Sequence, residues 1–130
     1  MPAEVKICGL STPETMEAAL SAGAEFVGLM FFPKSPRNVS IERAAELASL
    51  ARGKAKIVAV TVDVDDALLA AIAGAAKPDL IQCHGAETPE RLRAIRAATG
   101  VAPYKVLKVR NAAHIAQAEA YAGVSPFILY

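Results

Sequence analysis

Cysteine is scarce in this chain, no charge of one sign predominates, and no hydrophobic run is long. The two cysteines, Cys8 and Cys83, lie far apart and outside any CxxC or histidine-rich cluster, which excludes a disulfide scaffold or a zinc site as the organiser of the fold. Fourteen Lys and Arg stand against thirteen Asp and Glu, a net charge of +1. The two signs are interspersed, so no basic patch points to nucleic acid or to a membrane surface. No apolar stretch approaches the roughly 20 residues that span a bilayer. The opening Met1-Pro2-Ala3-Glu4 lacks the basic and then apolar pattern of a secretory leader. Both G-x-G-x-x-G and G-x-x-x-x-G-K-[ST] are missing, which removes the usual dinucleotide and nucleoside-triphosphate loops. The expectation is a soluble protein of a reducing cytoplasm.

What is present is apolar content, 54% of 130 residues, enough for one domain with its own core. It is distributed in six short runs: Val5 to Cys8, Phe26 to Phe31, Ile57 to Val62, Leu80 to Cys83, Val106 to Val109 and Phe127 to Tyr130. Because each run is nearly continuous rather than alternating, the runs read as strands covered on both faces. Helical stretches with named starts separate them. Ser11 or Thr12 opens the first, with Ala18, Ala19 and Ala22 as its narrow apolar face before Gly23. Ser40 opens the second, and Asp63 or Asp65 the third, with Leu68, Leu69 and Ile72 inward before Gly74. Thr88 opens the fourth and Asn111 the fifth, which ends near Gly123. Strands alternating with helices imply parallel strands joined by right-handed crossovers.

A repeat of about 25 residues is that of an eight-fold βα barrel of roughly 200–250 residues. The prediction is an α/β chain forming a partial (β/α)8 TIM barrel, a single domain over residues 1–130 holding five βα units and a sixth strand. A doubly wound open sheet is the competing architecture. Against it, the first strand-to-helix turn, Cys8-Gly9-Leu10-Ser11, carries no dinucleotide fingerprint, and the last apolar run is followed by no covering helix.

In such a barrel the chemistry lies where strands end. Those positions hold Cys8, the segment Pro33-Lys34-Ser35-Pro36-Arg37, Asp63, then Gln82, His84 and Gly85, and finally Lys108 with Arg110. Cys8 suits a general base or nucleophile, since a thiol beside a cation ionises more readily; a buried structural cysteine is the plainer reading. Lys6, two residues earlier, points to the same side of the strand as Cys8. It either lies inside the barrel beside the thiol or snorkels to the rim. Arg37, on a loop stiffened by two prolines, offers a planar fork that suits a carboxylate, or else decorates a solvated turn. Gln82 and His84 alternate with Cys83, so one set faces the pocket and the other the helix layer. Cys83 and His84 alone, without a third ligand, make no metal site. Asp63 reads as a helix cap before it reads as a catalytic acid. Lys108 and Arg110 face either an anion or solvent.

Lys6-Ile7-Cys8-Gly9-Leu10, Phe31-Phe32-Pro33-Lys34-Ser35-Pro36-Arg37, Ile81-Gln82-Cys83-His84-Gly85 and Lys108, in this order and spacing, resemble the phosphoribosylanthranilate isomerase family of tryptophan biosynthesis. The resemblance runs through the whole chain. It implies a cofactor-free, metal-free Amadori rearrangement of a phosphosugar substrate by general acid and base. By position it assigns the base to Cys8, contact with the anthranilate moiety to Arg37, and pocket-lining places to Gln82, His84 and Lys108. The family's general acid is an aspartate directly after the position of Tyr130, and its phosphate-binding turns follow strands seven and eight. The 130 residues alone are therefore expected to be inactive. Two other readings remain: a non-catalytic half-barrel that closes with another chain, and a different phosphosugar barrel enzyme. Cys83, where many members of the family carry an aliphatic residue, is expected to be a tolerated packing change.

Overall fold

The computed structural model describes residues 4–107, 112, 116–125 and 128–129. Six strands form one sheet: β1 (Lys6–Cys8), β2 (Phe26–Phe31), β3 (Lys56–Thr61), β4 (Leu80–Cys83), β5 (Ala102–Val106) and β6 (Ile128–Leu129). Every pairing is parallel and the order across the sheet is the order along the chain. That order excludes the doubly wound alternative, whose strand order reverses at a switch point. It is the order of a βα barrel, of which these elements form a part.

Four helices make the crossovers: α1 (Pro13–Ser21), α2 (Ile41–Ala51), α3 (Asp66–Ala76) and α4 (Pro89–Thr99). Each begins where a side-chain oxygen accepts from an otherwise orphaned backbone N–H. Thr12 takes the amide of Thr15 at 3.2 Å, Ser40 that of Arg43 at 3.1 Å, Asp65 that of Leu68 at 2.7 Å, and Thr88 that of Arg91 at 3.1 Å. In α2 the buried residues Ala44, Leu47, Ala48 and Ala51 follow the 3.6-residue period that turns one face to the sheet. The Arg52 guanidinium donates to the carbonyls of Ala76 and Lys77 at 2.6 and 2.8 Å, closing the end of α3.

Two apolar clusters lie on opposite faces of the sheet. The larger, between strands and helices, includes Val27, Leu29, Ile57, Ile72, Ile81, Leu92 and Ile95. The smaller, on the inner face, consists of Val58, Val60, Tyr104 and Val106, with Cys8, Phe26, Met30 and Leu80 against it. Full burial of a large apolar side chain contributes roughly 1.5–3 kcal/mol, so the helix-covered cluster carries most of the stability. The inner face shapes the site.

Several sequence expectations change. The fifth strand, Ala102–Val106, begins four residues before the expected start at Val106, and residues 108 and 109 of the expected run lie outside the described residues. Pro103 and Lys105 had disguised its start; Pro103 sits near the strand's beginning, where a missing N–H is tolerated, and the Lys105 charge is neutralised by a partner. In α1 the buried residues are Met16 and Ala19, whereas Ala18 and Ala22 are exposed. Gly74 lies inside α3, which runs on to Ala76 and ends with Lys77 in a left-handed conformation, φ 44°. Asp65, not Asp63, caps that helix. Asn111 lies outside the described residues, and the fifth crossover contains a 3-10 helix, Gln117–Tyr121.

Candidate active site

The parallel register carries the C-terminal ends of the strands to one rim, with Cys8 beside Gly28 in the β1–β2 pair and Gln82 beside Tyr104 in the β4–β5 pair. Side chains alternate across each strand, so Lys6 and Cys8 share the inner face, and Gln82 and His84 do likewise. Cys83, between them, is fully buried in the helix-side cluster. Cys83 and His84 therefore stand on opposite faces of β4.

Cys8 is half-buried and its thiol occupies space left by a glycine. A Cβ on Gly28 would stand 2.8 Å from the Cys8 sulfur and 3.2 Å from its Cα. Gly9 follows with φ of 80°, and a Cβ there would lie 2.7 Å from the Cδ of Arg37. Glycine at position 28 thus makes room for the thiol, and glycine at position 9 lets the Arg37 side chain cross directly over the backbone that follows it.

Arg37 reaches that place because the β2–α2 loop folds back on itself. The amides of Ser35 and Asn38 bond to the carbonyls of Phe32 and Ser35 at 2.9 and 3.1 Å, and the Arg37 amide donates to the Ser35 hydroxyl at 3.1 Å. Val39 then donates to the Met30 carbonyl at 3.0 Å, tying the loop to its own strand. The result is a cleft of about 410 Å³ lined by Cys8, Met30, Phe32, Arg37, Gln82 and His84, among others. The cleft joins a thiol, a guanidinium, an amide and an imidazole.

Tyr104, Glu87, Lys105 and Tyr121, none of them singled out from the sequence, complete the polar surroundings of the cleft. Below the cleft, Lys6 Nζ and the Tyr104 hydroxyl both donate to Oε1 of Gln82, while Gln82 Nε2 lies 3.5 Å from Nδ1 of His84. Lys6 thus lies inside the barrel rather than at its rim. Burial lowers its ammonium from the usual lysine range, partly offset by attraction to Cys8. Burial likewise raises the Tyr104 hydroxyl, with Cys8 and Cys83 adding to the effect.

Beside the cleft, a second network binds the rim together. Glu87 accepts from the amides of Gly85 and Asp63, each at 2.9 Å, and from Lys105 Nζ at 2.9 Å. Both charged side chains are almost fully buried, 4% exposed for Lys105 and 2% for Glu87. Lys105 also donates to the Gly85 carbonyl, and the Tyr121 hydroxyl donates to the Glu87 carbonyl at 2.6 Å. Asp63 is neither cap nor cleft acid: with φ of 46° it turns its carboxylate to the Ala86 amide at 2.9 Å. A charge in an otherwise apolar strand was the one sequence signal for Lys105, because a buried cation requires a partner. Lys108, expected on the fifth strand, and Arg110 lie outside the described residues. The cation that β5 carries is Lys105.

Known proteins share the sequence and the fold. Residues 5–129 match the family model for N-(5'phosphoribosyl)anthranilate (PRA) isomerase. The chain is 53% identical over all 130 residues to the N-(5'-phosphoribosyl)anthranilate isomerase of Azorhizobium caulinodans, covering 57% of that protein. It is 51% identical over 124 residues to that of Rhizobium meliloti, covering 95% of this chain and 58% of the relative. Among solved structures, the phosphoribosyl anthranilate isomerase of Thermotoga maritima superposes with a TM-score of 0.85 at 28% identity, covering 92% of this chain and 58% of that one. A phosphoribosyl anthranilate isomerase in complex with reduced 1-(o-carboxyphenylamino)-1-deoxyribulose 5-phosphate gives the same TM-score and identity over 92% and 61%. The chain spans somewhat over half the length of the curated relatives it matches, 57% and 58% for the two named here. A half-open βα barrel with its thiol and guanidinium in one cleft, matched from residue 5 to residue 129, belongs to the N-(5'-phosphoribosyl)anthranilate isomerase family.

Proposed function

We propose that the protein containing this chain, read as a single barrel domain, isomerises N-(5'-phosphoribosyl)anthranilate to 1-(o-carboxyphenylamino)-1-deoxyribulose 5-phosphate, a cytoplasmic step of tryptophan synthesis, without cofactor or metal. One observation carries the reading: two motifs separate in sequence, one centred on Cys8 and one ending in Arg37, meet in one cleft at the C-terminal end of the strands. The bound product analogue belongs to a relative of the same fold.

The reaction needs two proton-transfer groups on opposite sides of the sugar. An acid protonates the furanose ring oxygen; the C1–O bond breaks as the anilino nitrogen supplies its electron pair, giving an open-chain iminium. A base then takes the proton from C2, leaving an enolamine. Protonation at C1 and loss of the hydroxyl proton at C2 complete the ketone. Cys8 serves as the base, in contact with C2, and Arg37 pairs with the anthranilate carboxylate through its planar fork. Gln82 and His84 line the sugar's path. The acid is the aspartate that the family resemblance assigns directly after the position of Tyr130, and the phosphate rests on turns after strands seven and eight.

Cys8→Ala in the full-length protein is expected to lower kcat by about 10²–10⁴, the worth of a positioned proton-transfer group, with KM little changed. Arg37→Ala is expected to raise KM. Near-normal turnover of Cys8→Ala would overturn the reading and favour a different phosphosugar barrel. The 130-residue chain alone, lacking the acid and the phosphate turns, is expected to show no turnover in the same assay.

A further inference from the structure

Gln82 sits with its amide oxygen facing two donors at once, Lys6 Nζ and the Tyr104 hydroxyl. An ammonium can only donate, so the atom turned to Lys6 must be the oxygen, whichever way the amide is first drawn. The amide nitrogen is then forced to the other side, where Nδ1 of His84 lies 3.5 Å away. An amide NH2 can only donate, so that ring nitrogen must accept. Lys6 and His84 thus meet opposite ends of one amide, so the side chain at position 6 bears on the ring of His84 through a buried intermediary. Gln82 is held on all sides: it is 4% exposed, and its neighbours in register, Val60 and Tyr104, are 2% exposed each.

We propose that Lys6 and Tyr104 are positioning residues that lock the Gln82 side chain, and through it hold neutral His84 with its proton on Nε2. The deeper end of the site thereby presents fixed N–H donors to the oxygens of a sugar, on the same inner face as Cys8. Donors whose direction is set in advance need no reorganisation when charge develops on the substrate. This rests on the isomerase reading for its role in turnover, but not for the geometry itself. Lys6 adds a second effect from the same position, since its charge and Cys8 interact along one face of β1.

The test is the tautomer of His84 in the full-length protein, read from the side-chain nitrogen signals of 15N-histidine-labelled protein above the imidazole pKa, with His84→Gln to assign them. The wild type is expected to show Nε2–H. Gln82→Glu keeps an acceptor for Lys6 and Tyr104 but offers His84 a carboxylate oxygen, and is expected to move the proton wholly to Nδ1. Lys6→Met frees the amide to rotate and is expected to give a mixture, which Lys6→Arg restores in part. A wild type protonated on Nδ1, or a tautomer unmoved by both Gln82→Glu and Lys6→Met, would overturn the proposal. Loss of isomerase activity does not enter this readout, so failure of the isomerase reading would leave the tautomer result standing and distinguishable.

Discussion

At the scale of the residue, the two thiols have opposite fates because they project from opposite faces of the sheet. Burial pushes the Cys83 thiol up from 9.0 to about 12, with the Glu87 charge adding to the rise, so it stays protonated at neutral pH and has no solvent path. Cys8 opens into the cleft. Of these two cysteines, iodoacetamide near pH 8 is therefore expected to label Cys8 in the native protein and Cys83 only after denaturation, as peptide mapping would show; rapid native labelling of Cys83 would contradict the assigned faces. Gly28 is the second residue-level test. A methyl there would press on both the Cys8 sulfur and its backbone, at 2.8 and 3.2 Å. Gly28→Ala is expected to cost about 1–3 kcal/mol, the usual range for overpacking, and to displace the thiol enough that turnover falls more than stability does. Urea denaturation and steady-state kinetics on the full-length protein separate the two effects.

Elements are joined at the rim by the Glu87–Lys105 pair, which connects the turn after β3, the turn after β4, strand β5 and the 3-10 helix. Almost no water reaches either charge, so removal of one partner leaves the other buried and unpaired. Lys105→Met is expected to destabilise the protein by about 3–5 kcal/mol. A double variant, Lys105→Met with Glu87→Gln, is expected to recover part of that loss, because no bare charge remains. A double-mutant cycle from denaturation midpoints measures the coupling, and strictly additive losses would show that the pair does not act as a unit. The helix caps are smaller and independent; Thr88→Ala is expected to cost about 1 kcal/mol.

For the molecule as a whole, the perturbed groups set the response to alkali. Cys83, Tyr104 and Tyr121 all hold their protons more tightly when folded. The folded state therefore binds more protons than the unfolded chain above the ordinary thiol and phenol values, and stability falls as pH rises from about 9 towards 12. Lys6 acts in the other direction: its lowered pKa favours folding as pH rises through its own titration, and so softens the decline. Thermal unfolding of the full-length protein between pH 8 and 11 is expected to show a falling midpoint, less steep when Tyr104 is replaced by Phe. The described sheet also has two open margins, since β1 pairs only with β2 and β6 only with β5. Unpaired margins template further strands, and the 130-residue chain by itself is expected to self-associate in size-exclusion chromatography.

The sequence by itself determined the cadence. Continuous apolar runs located β2 and β4 to the residue, the caps Ser40 and Thr88 were legible from the hydroxyls ahead of helical spacing, and Cys8 and Arg37, singled out from local motifs, line one cleft. Only tertiary structure decided which elements of the site touch. Tyr104 and Lys105 read as interruptions of an apolar pattern because their partners, Gln82 and Glu87, belong to the preceding βα unit. Periodicity reports which face a residue occupies, whereas the satisfaction of a buried polar group depends on what the neighbouring strand brings to the same height. Parallel register, fixed by the whole sheet, supplies that information, and no local stretch of sequence contains it.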